Sequence, residues 1–109
     1  MIRVVNRKTY TGEDAVYVGR PGPLGNPFTH VKSRHAEFKV ASREEAVEKY
    51  REWLPEALKN DSNVRRAFDT LVEFYRRNGE LTISCWCDPL PCHAHILAEF
   101  IEREAAREG

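Results

Sequence analysis

No stretch of this sequence approaches the roughly 18 consecutive apolar residues that a membrane helix requires, so a spanning helix is not expected. The residues after Met1, Ile2-Arg3-Val4-Val5-Asn6-Arg7-Lys8, are too short an apolar run for a signal peptide, and a cytoplasmic protein is expected. An excess of either charge is also lacking, because 17 Lys and Arg stand against 17 Asp and Glu. No global field then steers the chain toward nucleic acid or a membrane, and an anionic partner has to be met by a local patch. Cysteine is scarce and odd in number, three in all. That argues against a disulfide framework and leaves the thiols as ligands, nucleophiles or small core residues.

What is present is enough for one domain. A chain of 109 residues can bury a modest core without staples, and 1–109 is read as a single α/β domain. The sequence sets no oligomeric state. Ile2, Val4 and Val5 open in a β-rich run, and Ala15-Val16-Tyr17-Val18 follow after the punctuation of Gly12-Glu13-Asp14, which predicts two short strands.

Three glycines and three prolines then fall within Gly19-Arg20-Pro21-Gly22-Pro23-Leu24-Gly25-Asn26-Pro27-Phe28. Proline fixes φ and glycine frees it, so this loop is stiff and sharply bent. Placed after a strand, it can cradle an anion: the N–H groups of Gly22, Leu24, Gly25 and Asn26 lie outside any ladder, and Arg20 supplies a bidentate cation. It fits neither GxGxxG nor GxxxxGK[ST]. The competing reading is a structural connection packed by Leu24 and Phe28. Residues 29–39, with His30, Lys32, Arg34, His35 and Lys39, read as a basic loop able to meet an acidic ligand.

Ser42-Arg43-Glu44-Glu45 is a capping box that opens a helix, whose buried stripe runs through Ala46, Val47, Tyr50, Trp53, Leu54, Ala57 and Leu58. Pro55 is expected to kink or end it. A second helix starts near Asp61 or Ser62 and ends with Arg76-Arg77-Asn78-Gly79, cations at the negative pole and glycine beyond. Its role is read as structural. Leu81 to Cys87 form a strand inside the sheet, and Cys92 to Arg107 the last helix, with His93 at the centre of its apolar stripe, Cys92 on the flank and His95 toward water.

Every cysteine and two of the four histidines lie in Cys85-Trp86-Cys87-Asp88-Pro89-Leu90-Pro91-Cys92-His93-Ala94-His95. A thiol at a helix N-terminus faces unpaired N–H groups and partial positive charge, which favours thiolate, so Cys92 is the candidate nucleophile. Its acid/base partner is His93, His30 or His35. The rival is a zinc site built from Cys85, Cys87, Cys92 and His93. Against it, cysteines two apart in a strand lie about 7 Å from each other, which suits a Zn–S bond of about 2.3 Å only if the strand turns. A third reading makes Cys85 a core residue.

Two separated pieces, Val16-Tyr17-Val18-Gly19-Arg20-Pro21-x-Pro23-Leu24-Gly25-Asn26-Pro27-Phe28 and Cys85-Trp86-Cys87-x-Pro89-x-x-Cys92-His93, resemble the family known as domain of unknown function 4326, found in bacteria and bacteriophages. Tyr50-Arg51-x-Trp53-Leu54 between them fits too. The resemblance implies a compact Rossmann-like domain whose recurring residues are Gly19, Arg20, Pro21, Leu24, Gly25, Asn26, Pro27, Phe28, Cys85, Cys87, Pro89, Cys92 and His93, and it implies no activity.

The combined expectation is a single small Rossmann-like α/β domain, a mostly parallel sheet flanked by helices, with its site beyond the carboxyl ends of strands. The expected partner is a small phosphate-bearing, nucleotide-like molecule held by Gly19, Arg20, Gly22, Leu24, Gly25 and Asn26 with the last helix N-terminus, beside catalytic Cys92 and His93 in a thiol-dependent hydrolase or transferase. No cofactor is predicted. The alternative is a non-catalytic zinc-binding or ligand-binding module in a nucleic-acid-related pathway, although nucleic acid itself is the weaker partner because the net charge is zero and no aromatic-plus-basic array is evident.

Overall fold

The helices take their limits from their caps. In the computed structural model, which describes residues 1–20, 22–29, 38–86 and 92–107, helix α1 spans Arg43–Asn60. Ser42 Oγ accepts the Glu45 N–H at 3.1 Å, and Glu45 Oε1 reaches back to the Ala41 N–H at 2.8 Å. Asp61 then serves two helices at once: its own N–H closes α1 on the Ala57 carbonyl, and its carboxylate accepts from Asn63 and Val64 at the start of α2, Ser62–Asn78. Helix α2 stops at Gly79, whose φ of 75° is left-handed and suits glycine. The amino group of Met1 donates to the Tyr75 hydroxyl and the Gly79 carbonyl, tying the chain start to that helix end.

Of the two outcomes expected at Pro55, a kink or an end, the end does not occur, and α1 runs on through it. Its ring is exposed, while Tyr50, Leu54 and Ala57 on either side of it are buried against the core. Packing of that face offsets the cost of about 3 kcal/mol that an interior proline carries.

Strand β1 (Ile2–Asn6), strand β2 (Val16–Tyr17) and strand β5 (Leu81–Cys85) form one sheet in the order β1-β5-β2. Both pairings are parallel, with Ile2 opposite Leu81, Asn6 opposite Cys85 and Tyr17 opposite Ser84. All five residues of β5 are buried, as a central strand covered on both faces requires. Helix α3 (His93–Arg107) packs on β1 and β5, and α2 on β5. The strand ends at Cys85, where the sequence reading carries it to Cys87; Trp86 is exposed beyond it, and Cys87 lies outside the described residues.

A second, two-stranded parallel ladder pairs strand β3 (Phe28–Thr29) with strand β4 (Phe38–Lys39) where the sequence suggests only a loop. Two residues per strand are too few for a period-two signal to show. Phe28 and Phe38 stack across it at 5.2 Å. Because β1, β5 and β2 are parallel and in register, they end along one edge, which places Asn6 and Arg7, Cys85 and Trp86, and Tyr17 and Val18 side by side. No helix among the described residues is long and apolar enough to cross a membrane.

Candidate functional site

Val18 leaves β2 with its N–H bonded to the Ser84 carbonyl, and the Gly/Pro loop begins at the next residue. Gly22 N–H bonds the Gly19 carbonyl and Gly25 N–H bonds the Gly22 carbonyl, each at 3.0 Å, so the loop is two successive turns. Two of the four amides expected to face an anion therefore point into the loop. Those of Leu24 and Asn26 make no backbone hydrogen bond among the described residues. Gly25 sits against the start of the loop: a Cβ there would stand 2.8 Å from Arg20 N and 2.9 Å from Arg20 Cα. Only glycine permits that approach.

The side chains of the loop are largely structural. Asn26, expected to bind ligand, is buried and bridges the two ends of its surroundings: Nδ2 donates to the Ala46 carbonyl at 3.0 Å and Oδ1 accepts from Phe28 N–H at 2.9 Å. Leu24 is in the core, and its carbonyl accepts the Tyr50 hydroxyl at 2.8 Å. Arg20 Nη1 donates to the Asn26 and Phe28 carbonyls at 3.2 and 3.4 Å, which ties the guanidinium to the loop while it remains half-buried. Pro21 lies outside the described residues.

From the other side the loop is held by α3. His93 is buried, and its Nε2 lies 2.8 Å from the Val18 carbonyl oxygen. A carbonyl only accepts, so Nε2 carries the proton and Nδ1 is left as an acceptor, 3.4 Å from Cys92 Sγ. Neighbours on a helix point apart, but Cys92 precedes the first turn of α3, and its thiol can swing back to meet the ring. The same sulfur accepts the Ala94 N–H at 3.5 Å, so it occupies the positive end of the helix. Burial above all pushes His93 down to about 4, with the charge of Arg20 adding to the effect and the Val18 hydrogen bond opposing it. The imidazole is thus neutral near pH 7.

Tyr50 packs edge-on to His93 at 5.0 Å between ring centroids. Its phenol is held far above the ordinary range by burial, and secondarily by Cys92. The constellation is therefore Cys92, His93, Tyr50 and two loop carbonyls, wholly inside the protein, with Cys92 at 2% exposure. Cys85 is likewise buried. No group of three or more metal-ligating side chains occurs among the described residues, while Cys87, His30 and His35 lie outside them.

The open face of the loop borders a cleft of about 820 Å³. One wall is the loop itself, Arg20 and Gly22 through Pro27, together with Val16 to Val18. The other is the first half of α2, through Asn63, Arg66 and Thr70, and Trp53 of α1 also lines the cleft. Helix α2, read from the sequence as structural, also lines the cleft. The spacing of Asn63, Arg66 and Thr70 marks one helical flank, but a periodicity alone does not say which flank meets a loop. Cys92 and His93 do not line this cleft; they sit behind its wall.

A family model, Domain of unknown function (DUF4326), matches residues 3–103, and the chain belongs to that family. No curated protein and no solved structure matches it.

Proposed function

We propose that this family member binds a small phosphate-bearing molecule of nucleotide size in the cleft between the Gly/Pro loop and α2. The observation that carries the reading is the joint presence of Arg20, Arg66 and the indole of Trp53 on one cleft of about 820 Å³. Sites for small ligands fall in this range, about 300–1,000 Å³. Two guanidinium groups meet a phosphate, and an aromatic face suits a base. The expected Rossmann-like arrangement belongs to the same reading: the loop leaves the carboxyl end of β2, where ligands gather in parallel sheets.

Cys92 and His93 then act as the rigid back wall of the loop. A thiol-dependent hydrolase or transferase is the second reading, favoured by one observation, the chain of Cys92 Sγ, His93 Nδ1 and the Val18 carbonyl on Nε2. That chain has the parts of an activated nucleophile, an oriented base and its orienting acceptor.

Thermal unfolding with AMP, ADP, GMP and inorganic phosphate, each at graded concentration, tests the first reading. A ligand at a hundred times its Kd stabilises by about 3 kcal/mol. For a domain of this size that raises Tm by more than about 10 °C. Arg20→Gln and Arg66→Gln should each weaken the response about tenfold. No shift with any probe, or a shift indifferent to both variants, refutes the cleft. Cys92→Ser leaves binding intact under either reading, and abolishes turnover of the bound ligand under the second.

A further inference from the structure

We propose that Trp86, Tyr17 and Arg7, at the carboxyl edge of the sheet, form a stacking platform for the bases of single-stranded nucleic acid. The three residues are far apart in sequence, and parallel pairing of β1, β5 and β2 brings them together. Trp86 is 56% exposed, directly beyond a strand whose five residues are all buried. Tyr17 and Trp86 meet edge-on at 6.3 Å between centroids, and the Arg7 guanidinium lies 4.5 Å from the Tyr17 ring and 5.8 Å from the Trp86 ring.

This exposed indole is fixed, which distinguishes it from a casual surface aromatic. Its Nε1–H donates to the Tyr17 hydroxyl at 3.0 Å, and that hydroxyl donates to the Arg20 carbonyl at 2.8 Å. The Trp86 carbonyl accepts from Asn6 Nδ2 at 3.2 Å. Arg7 is anchored by its own N–H on the Cys85 carbonyl at 2.8 Å, and Asn6 Oδ1 holds the following turn through the Lys8 N–H. A pre-set aromatic plane loses little freedom when a base stacks on it.

Charge at the edge has the sign a strand needs. Arg3, Arg7 and Lys8 are exposed along β1 and the turn after it. Between β1 and β2, Asp14 accepts the Tyr10 hydroxyl at 2.6 Å, and Arg3 lies over the Tyr10 ring at 5.7 Å. The chain as a whole is neutral, so this is a local patch and not a global field.

A strand suits the platform better than a free nucleotide. One stacked base strengthens binding by roughly ten- to a hundredfold, too little alone for a mononucleotide on an open surface. Trp86 and Arg7 line neither the loop cleft nor the groove along α2, whereas Tyr17 also lines the loop cleft. A strand adds phosphate contacts on either side of the stacked base, and its unpaired bases are free to stack. The platform shares Tyr17 with the loop cleft and is tested on Trp86 and Arg7, which lie outside it.

The test is fluorescence anisotropy of the full chain with a fluorescein-labelled mixed-sequence 12-mer, as single-stranded DNA, single-stranded RNA and duplex DNA, at 50 and 200 mM salt. Binding of either single strand in preference to the duplex is expected, weakened about tenfold or more by Trp86→Ala and by Arg7→Gln, with Trp86→Phe retaining most of it. Circular dichroism and Tm of each variant identify any that fails to fold, and Trp86→Phe against Arg7→Gln then decides. No binding of single strands, equal binding of duplex, or binding indifferent to Trp86 and Arg7 overturns the proposal. Single-strand binding lost only in Arg20→Gln and Arg66→Gln overturns it as well, and places the strand in the cleft. AMP in place of the 12-mer, bound with equal affinity and the same dependence on Trp86, assigns the platform to free nucleotides instead and equally overturns it.

Discussion

His93 Nε2 stands 2.8 Å from the carbonyl oxygen of Val18, a residue 75 positions earlier in the chain. That bond joins the first turn of the last helix to the entry of the Gly/Pro loop, and its partner bond, Tyr50 to the Leu24 carbonyl at 2.8 Å, holds the loop further along. The loop is thus pinned from inside by two buried aromatic side chains while its outer face borders a cleft.

The first consequence is a pH dependence of stability. His93 titrates at about 4 in the fold and near 6.5 when unfolded, because burial disfavours the imidazolium. Between these values the unfolded chain binds a proton that the folded chain does not, so stability is complete above about pH 6.5 and falls as pH drops toward 4. The loss over the whole window is on the order of 3 kcal/mol. Urea unfolding at pH 7.5 and 5.0 should show more than half of it, and His93→Gln should flatten the difference. Equal midpoints at the two pH values in the parent chain would refute the assignment.

Tyr50→Phe removes one hydroxyl and leaves the buried Leu24 carbonyl without its partner. A stability loss of about 1–3 kcal/mol is expected by equilibrium denaturation. Amide exchange should accelerate in residues 22–26 more than in α2, whose bonds the substitution does not touch.

Glycine-to-alanine substitutions should separate two neighbours. At Gly25 the new methyl would meet Arg20 backbone atoms at 2.8 and 2.9 Å, and backbone cannot move aside cheaply. A loss of about 1–3 kcal/mol is expected. At Gly22 the nearest atom is the Gly19 carbonyl oxygen at 3.2 Å, so the cost should be smaller. Equal Tm values for the two variants would contradict the packing of the turn.

Cys85 and Cys92 are 1% and 2% exposed. In a Cys87→Ser background neither thiol should react with a disulfide reagent within minutes under native conditions, and both should react at once in denaturant. One rapid native thiol would show that Cys92 is reached from solvent, and would favour the thiol-dependent reading of the site.

Much of this was legible in the linear order. The capping box at Ser42, the shared boundary at Asp61, the glycine stop at Gly79 and the helical stripe bearing His93 all rest on interactions within a few residues, where propensity and periodicity operate directly. Strand β5 was assignable from the alternation of Leu81, Ile83 and Cys85 with Thr82 and Ser84, and its pairing on both sides bears out a place inside the sheet. Family membership was legible too, since its motifs are local strings.

Pro55 shows the limit of that reasoning: local rules kink or end a helix there, and α1 runs on past it with Tyr50, Leu54 and Ala57 buried. Asn26 shows another: nothing local indicates that its side chain is buried and bonded to the Ala46 carbonyl, twenty residues on. Local sequence determined which segments are helices, which strand is central and that the Gly/Pro loop is sharply bent. Only the tertiary structure decided that His93 carries its proton on Nε2, that α2 closes a cleft over the loop, and that Arg7, Tyr17 and Trp86 share an edge. Each of those depends on parallel pairing across tens of residues, and no local periodicity encodes which distant groups such pairing brings together.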